Sequence, residues 1–229
     1  MFDFRRFTTH RRGFLGGLAA AALGVTGFAD GRLSAAPALR RTPSSNPDFD
    51  RWLDGITGKH RQVVDATAPA EGFGLVMTYI WLQTQRDTYG LEDADVSAVL
   101  VVRHSAIAMA FGDDIWAKYK LGELWNLTDP ATKAPALRNP FAHVRPGELP
   151  PFPDAAVEKL LARGVKMGVC NVALTLNSAR AGQRLGIAKD DARKEWVAGL
   201  LPGAVVVPSG VLAVNRAQEH GCTYCSAAL

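Results

Sequence analysis

Gly164-Val165-Lys166-Met167-Gly168-Val169-Cys170-Asn171-Val172-Ala173-Leu174 is the stretch whose reading decides the fold. Residues 165–169 form a short run, apolar but for Lys166, bounded by Gly164. The chain then passes at once into a helical pattern over 171–185, with Val172, Leu176 and Ala179 on one face. A buried strand handing directly to a helix is half of a βαβ unit. The same alternation extends in both directions. Strands are expected at 60–66, 96–102, 204–207 and 222–227. Helices are expected at 74–89, 113–124, 154–163, 190–200 and 209–220. Residues 96–102 are almost all apolar, as a strand buried on both faces must be. Asp154, Asn171 and Ser209 are expected helix caps, and Gly90, Gly164 and Gly221 are expected helix ends. The pattern predicts an α/β fold: a three-layer α/β/α arrangement around a mainly parallel sheet of about five strands. One stretch interrupts the rhythm. Residues 126–153 are rich in Pro, Asn and Gly and are longer than the ~12–15 residues of an ordinary loop. They are expected to cover a site or a neighbouring subunit.

Ahead of this alternation, Thr9-His10-Arg11-Arg12-Gly13-Phe14-Leu15 leads into small and apolar residues through Phe28. Paired arginines before a Gly/Ala-rich apolar segment make a twin-arginine export signal. The alternative is a membrane anchor, but the run over 13–29 is short and weakly hydrophobic for a ~20-residue span. Residues 1–38 are therefore expected to be a signal peptide cut after Ala38, 39–58 a linker with one short helix, and 59–229 the domain. The translocase for folded proteins is then a partner during export, and the expected location is the periplasm.

The signal also changes how the charge is understood. Residues 1–38 hold five Arg and two Asp, a net of +3, against +4 for the whole chain, so the rest is close to +1. No Lys/Arg stripe with interleaved aromatics remains, which argues against nucleic acid as a partner. About 190 residues after the signal suit one domain with a sizeable core.

Three cysteines are present, Cys170, Cys222 and Cys225. An odd number in an oxidising compartment leaves at least one thiol free, liganded, buried or paired between chains. In an open parallel sheet, ligands gather at the carboxyl ends of the strands. His104 and Cys170 both fall there. Cys170 also lies at the amino end of a helix, where unpaired N–H groups and the dipole favour a thiolate, the form that attacks sulfur. The plain alternative is a small buried hydrophobe. His104 is a candidate to orient or protonate a ligand or to bind metal. The plain alternative is a histidine bonded to a backbone carbonyl at a strand end, the commoner role of a lone His. Arg103 beside it is a weak anion signal. His220, Cys222 and Cys225 suggest a metal or redox motif. However, residues three apart on a strand point to opposite faces, and a zinc site needs about four ligands.

Together these stretches make residues 60–228 resemble the DsrE-like family, which includes the DsrE, DsrF and TusD sulfur-relay proteins. The resemblance rests on the strand Ser97-Ala98-Val99-Leu100-Val101-Val102-Arg103-His104, on the 164–174 stretch quoted above, and on Val207-Pro208-Ser209-Gly210-Val211-Leu212-Ala213-Val214-Asn215-Arg216-Ala217-Gln218-Glu219. It implies a persulfide-carrying cysteine at the end of a middle strand, which Cys170 matches, and assembly into trimers or hexamers. His104, Cys222 and Cys225 inherit no role from it. The expected function is an exported sulfur or persulfide carrier, or a thiol relay, acting through Cys170 and passing sulfur to a partner thiol protein. This is carrier chemistry more than classical enzyme catalysis. The alternative is an oligomeric protein that binds a metal ion or small ligand through His104 and the Cys222/Cys225 pair.

Overall fold

Five strands form one sheet in the order β4-β3-β2-β1-β5, with every neighbouring pair parallel. They are β1 (His60–Ala66), β2 (Val96–Val102), β3 (Lys166–Cys170), β4 (Ala204–Val207) and β5 (Thr223–Ser226). The computed structural model describes residues 46–145, 148, 150 and 152–227. The twin-arginine signal expected at 1–38 lies outside these residues. Among them, no helix is long and apolar enough to cross a membrane.

Burial follows strand position. β2 is central, and all its residues but Ser97 are buried. The edge strand β4 is mostly half-buried, and β5 at the other edge is largely exposed. Side chains alternate between two cores, as the period-2 pleat requires. Val64, Ala66, Leu100, Val102, Met167 and Val169 face one helical layer. That layer is built from α2 (Phe73–Tyr89), α3 (Asp113–Tyr119), α4 (Leu121–Trp125), α5 (Val157–Ala162), α6 (Asn171–Arg184) and α7 (Lys189–Ala198). Val63, Val99, Val101 and Val207 face the other layer, made of α1 (Pro47–Asp54) and α8 (Gly210–Glu219). This is the three-layer α/β/α arrangement. α8 packs on β1, β2 and β3, because it carries the chain from the β4 edge back across the sheet to β5.

Several local expectations are corrected. Part of the expected linker is an integral element: Asn46 Oδ1 caps α1 by accepting from Phe49 N, and Phe49, Trp52, Leu53 and Ile56 are buried in the second core. The expected helix over 113–124 is two helices, parted at Lys120, which is left-handed with φ +50°. The break lets Gly122 meet the backbone of Ala136, where there is no room for a Cβ. Asp154 does not cap α5. It sits in a 3₁₀ turn, and α5 begins at Val157. The first N–H groups of α5 are met instead by carbonyls of the excursion: Val157 N donates to Phe141 O and Glu158 N to Ala142 O. Asn171 does not cap α6. Cys170 takes that place, while Asn171 Oδ1 accepts from Arg193 Nη2 at 2.7 Å and ties α6 to α7. The Ser209 cap and the left-handed Gly90 end are present.

The excursion is held from within. Asn139 is 2% exposed; its Nδ2 donates to Met109 O and Phe111 O, and its Oδ1 accepts from Phe141 N and Ala142 N. Arg138 bridges Asp129 and Glu148. The excursion packs on the α3 and α5 region and reaches the start of α2, where Pro150 meets Gly72 and Phe152 meets the Tyr79 ring.

Candidate functional site at the carboxyl edge of the sheet

β2 and β3 end side by side, with Val102 opposite Val169, so that Arg103 and Cys170 leave the sheet as neighbours. Cys170 is the last residue of β3 and the N-cap of α6. Its Sγ accepts from Ala173 N at 3.4 Å, using one of the helix's unpaired first-turn donors. The residue is 7% exposed. A sulfur in this position is held in one orientation by the backbone of its own helix.

Arg103 is fixed from below. Its Nε donates to Asp65 Oδ1 at 2.7 Å and its Nη2 to Asp65 Oδ2 at 3.0 Å, a forked pairing. Asp65 lies on β1 and is 5% exposed. Tyr224 of β5 donates its hydroxyl to the same Oδ2 at 3.2 Å. Gly210, the first residue of α8, gives room for the arginine stem, since a Cβ there would lie 2.8 Å from Arg103 Cβ. The pKa of Arg103 is raised, first by its hydrogen bond to Asp65 and in smaller part by the nearby Tyr224 and Cys170; burial opposes the shift. Its charge is permanent at any working pH. Side chains of β1 and β5 thus hold Arg103, the residue that follows β2, at the carboxyl edge.

His104 lies at the same edge, exposed, with φ +52°. A positive φ on a non-glycine residue costs of order 1 kcal/mol. His104 Nδ1 is 3.3 Å from Ser105 Oγ, which in turn donates to Thr67 O. Ala70 and Glu71, in the loop after β1, also have positive φ. Strained backbone is therefore found in the loops after both β1 and β2.

The C-terminal group does not assemble. Cys222 is buried in the α1/α8 core, whereas Cys225 packs against the other core, so the sheet lies between them. Both are free thiols. His220 caps the end of α8, where its carbonyl accepts from Arg61 Nη1 at 2.6 Å. His220 and Cys222 precede β5, whereas His104 follows β2 at the opposite end of the parallel sheet. The expected metal grouping of His220, Cys222 and Cys225, and its extension to His104, is therefore not brought together. Among the described residues, no group of three or more His, Cys, Asp or Glu side chains is arranged to hold a metal ion. Burial raises both thiol pKa values, that of Cys222 to about 11, with Arg61 opposing.

Sequence reading identified Cys170 and His104 but missed Asp65 and Tyr224. A signal for Asp65 was available: a lone carboxylate within Val63-Val64-Asp65-Ala66 has to be paired if the strand is buried. Tyr224 carried no such signal.

No family model matches the chain, and no curated protein matches it. A solved structure of a protein of unknown function from Methanobacterium thermoautotrophicum is similar to it at 17% identity, over 73% of this chain and 99% of that one, with a TM-score of 0.38. A likeness at that level is too distant to bear on function.

Proposed function

We propose that this chain is an exported DsrE-like protein that carries sulfur on Cys170. The observation that carries the reading is the seating of Cys170 as N-cap of α6 at the carboxyl end of an interior strand, beside Arg103. Cys222 and Cys225 have no comparable setting. In the proposed step the deprotonated Cys170 sulfur attacks a sulfane sulfur of a polysulfide or organic persulfide. A Cys170 S–S bond forms and the donor's S–S bond breaks. The electron pair of the broken bond leaves with the shortened donor as its thiolate, and the cysteine proton goes to solvent. There is no net oxidation. A partner thiolate reverses the sequence when it attacks the outer sulfur. Polysulfide treatment followed by intact-mass measurement is expected to add one sulfur to the wild-type protein and none to Cys170→Ser. A wild-type protein that gains no sulfur sinks the reading.

Assembly and export belong to the same proposal. Val172 and Leu176, one turn apart on α6, are 51% and 67% exposed, apolar side chains that a second copy would cover. Fractionation of the native host followed by light scattering tests both parts. A processed trimer or hexamer in the periplasm is expected. A full-length monomer retained in the cytoplasm overturns them.

A further inference from the structure

We infer that Arg103, clamped by Asp65 and Tyr224, is a positioning residue that makes Cys170 selective for negatively charged reaction partners. The inference deepens the sulfur-carrier reading by naming the class of donor, an anionic sulfane compound, but its test does not depend on sulfur uptake.

The geometry is specific. Asp65 engages only Nε and Nη2 of the guanidinium. The fork therefore faces β1, while the remaining Nη1 donors belong to the part of the group not bound to Asp65. The last β2–β3 pair, Val102 with Val169, makes Arg103 and Cys170 the next residues of adjacent strands, and Cys170 is among the groups that act electrostatically on Arg103. Tyr224 holds the carboxylate from the far side of β1, so the arginine cannot swing away without leaving a nearly buried carboxylate without its cation. Gly210 leaves the space through which the stem passes. If the guanidinium served only to neutralise Asp65, a cation anywhere within reach of that carboxylate would suffice. Here three strands and the first residue of α8 fix it at the end of the strand next to the thiol. Asp65 cancels part of the field, which limits the size of the effect. The Arg103 side chain is 33% exposed and that of Asp65 only 6%, so an anion arriving from solvent reaches the guanidinium more readily than the carboxylate.

The test compares alkylation of Cys170 by iodoacetate, an anion, and by iodoacetamide, its neutral counterpart, read site by site by peptide mass spectrometry. The reference is the same cysteine in the urea-unfolded chain. The folded wild-type protein should show an iodoacetate-to-iodoacetamide rate ratio about three- to tenfold above that reference. The excess should shrink at about 1 M salt, where the screening length is ~3 Å. Arg103→Gln should return the ratio to the reference, and Arg103→Lys should keep part of it. If Arg103→Gln does not fold, the wild-type ratio, its salt dependence and the lysine variant still decide. A folded ratio equal to the unfolded one overturns the inference, as does an unchanged ratio in folded Arg103→Gln. In either case sulfur uptake on wild-type Cys170 would leave the carrier reading standing. Conversely, a charge-selective Cys170 that takes no sulfur would sink the carrier reading alone. A Cys170 that reacts with neither reagent in the folded protein overturns the inference too.

Discussion

At the scale of single residues, the chain places polar side chains inside only where each can be satisfied. Asn139 is the clearest instance. One amide closes four hydrogen bonds and joins the excursion to the turn before α3. Asn139→Ala would orphan two carbonyls and two N–H groups in a buried place. The expected loss is about 2–4 kcal/mol in equilibrium urea unfolding. A loss under about 0.5 kcal/mol would mean that water replaces the amide without cost. The Asp65–Arg103–Tyr224 cluster obeys the same rule, and it was the part of the site least legible beforehand. Its partners are separated in sequence by 38 and 159 residues. Nothing local to Val63-Val64-Asp65-Ala66 says which cation will arrive. Cys170 was legible because both of its credentials, a strand end and a helix start, lie within its own eleven-residue stretch.

At the scale of elements, most strands and helices were legible because each is bounded by its own turn chemistry and follows its own period. The errors share one cause. Where a tertiary neighbour supplies hydrogen bonds or apolar contact, the local rule yields. α5 starts without a side-chain cap because Phe141 and Ala142 carbonyls receive its first N–H groups. α1, within a stretch that reads as a linker, is held by the second core. Its Trp52 stacks on Phe49 at 5.9 Å between ring centroids and lies over Gly168, where a Cβ would be 3.0 Å from the indole. Trp52→Ala should therefore cost about 3–5 kcal/mol. Trp52→Phe should cost much less, because Trp52 Nε1 is buried and meets no hydrogen-bond partner among the described residues, so its removal relieves that penalty. Urea unfolding of the pair decides the matter. If Trp52→Ala were as stable as the wild type, α1 would be the dispensable linker that its composition suggests.

At the scale of the whole molecule, stability should depend on pH from both sides. On the acid side, Asp93 has its pKa lowered, first by its hydrogen bond to Arg163, and Asp129 has its pKa lowered, first by the Thr132 backbone N–H. Their contribution is complete above the ordinary carboxylate range near ~4 and is lost as pH falls through the lower folded values. On the alkaline side, burial pushes Cys222 up to about 11. The folded state then holds its proton more tightly than the unfolded chain. That contribution is complete below ~8.5 and is lost as pH rises toward the folded value. Plotted against pH, the urea midpoint should fall below ~4 and above ~9. Cys222→Ala should have a shallower alkaline limb. Parallel alkaline limbs for the two proteins would show that Cys222 does not contribute.

The sequence by itself determined the βα alternation, the nearly all-apolar middle strand and the placement of Cys170 at a strand–helix junction. All of these follow from periods and turn residues within a few positions of one another. Only the tertiary structure decided the strand order, the return of α8 across the sheet, the absorption of α1 into the core, and the pairing of Arg103 with Asp65 and Tyr224. Those depend on which distant strands become neighbours. That choice is made by burying two opposite apolar faces at once, and no local stretch of the chain encodes it.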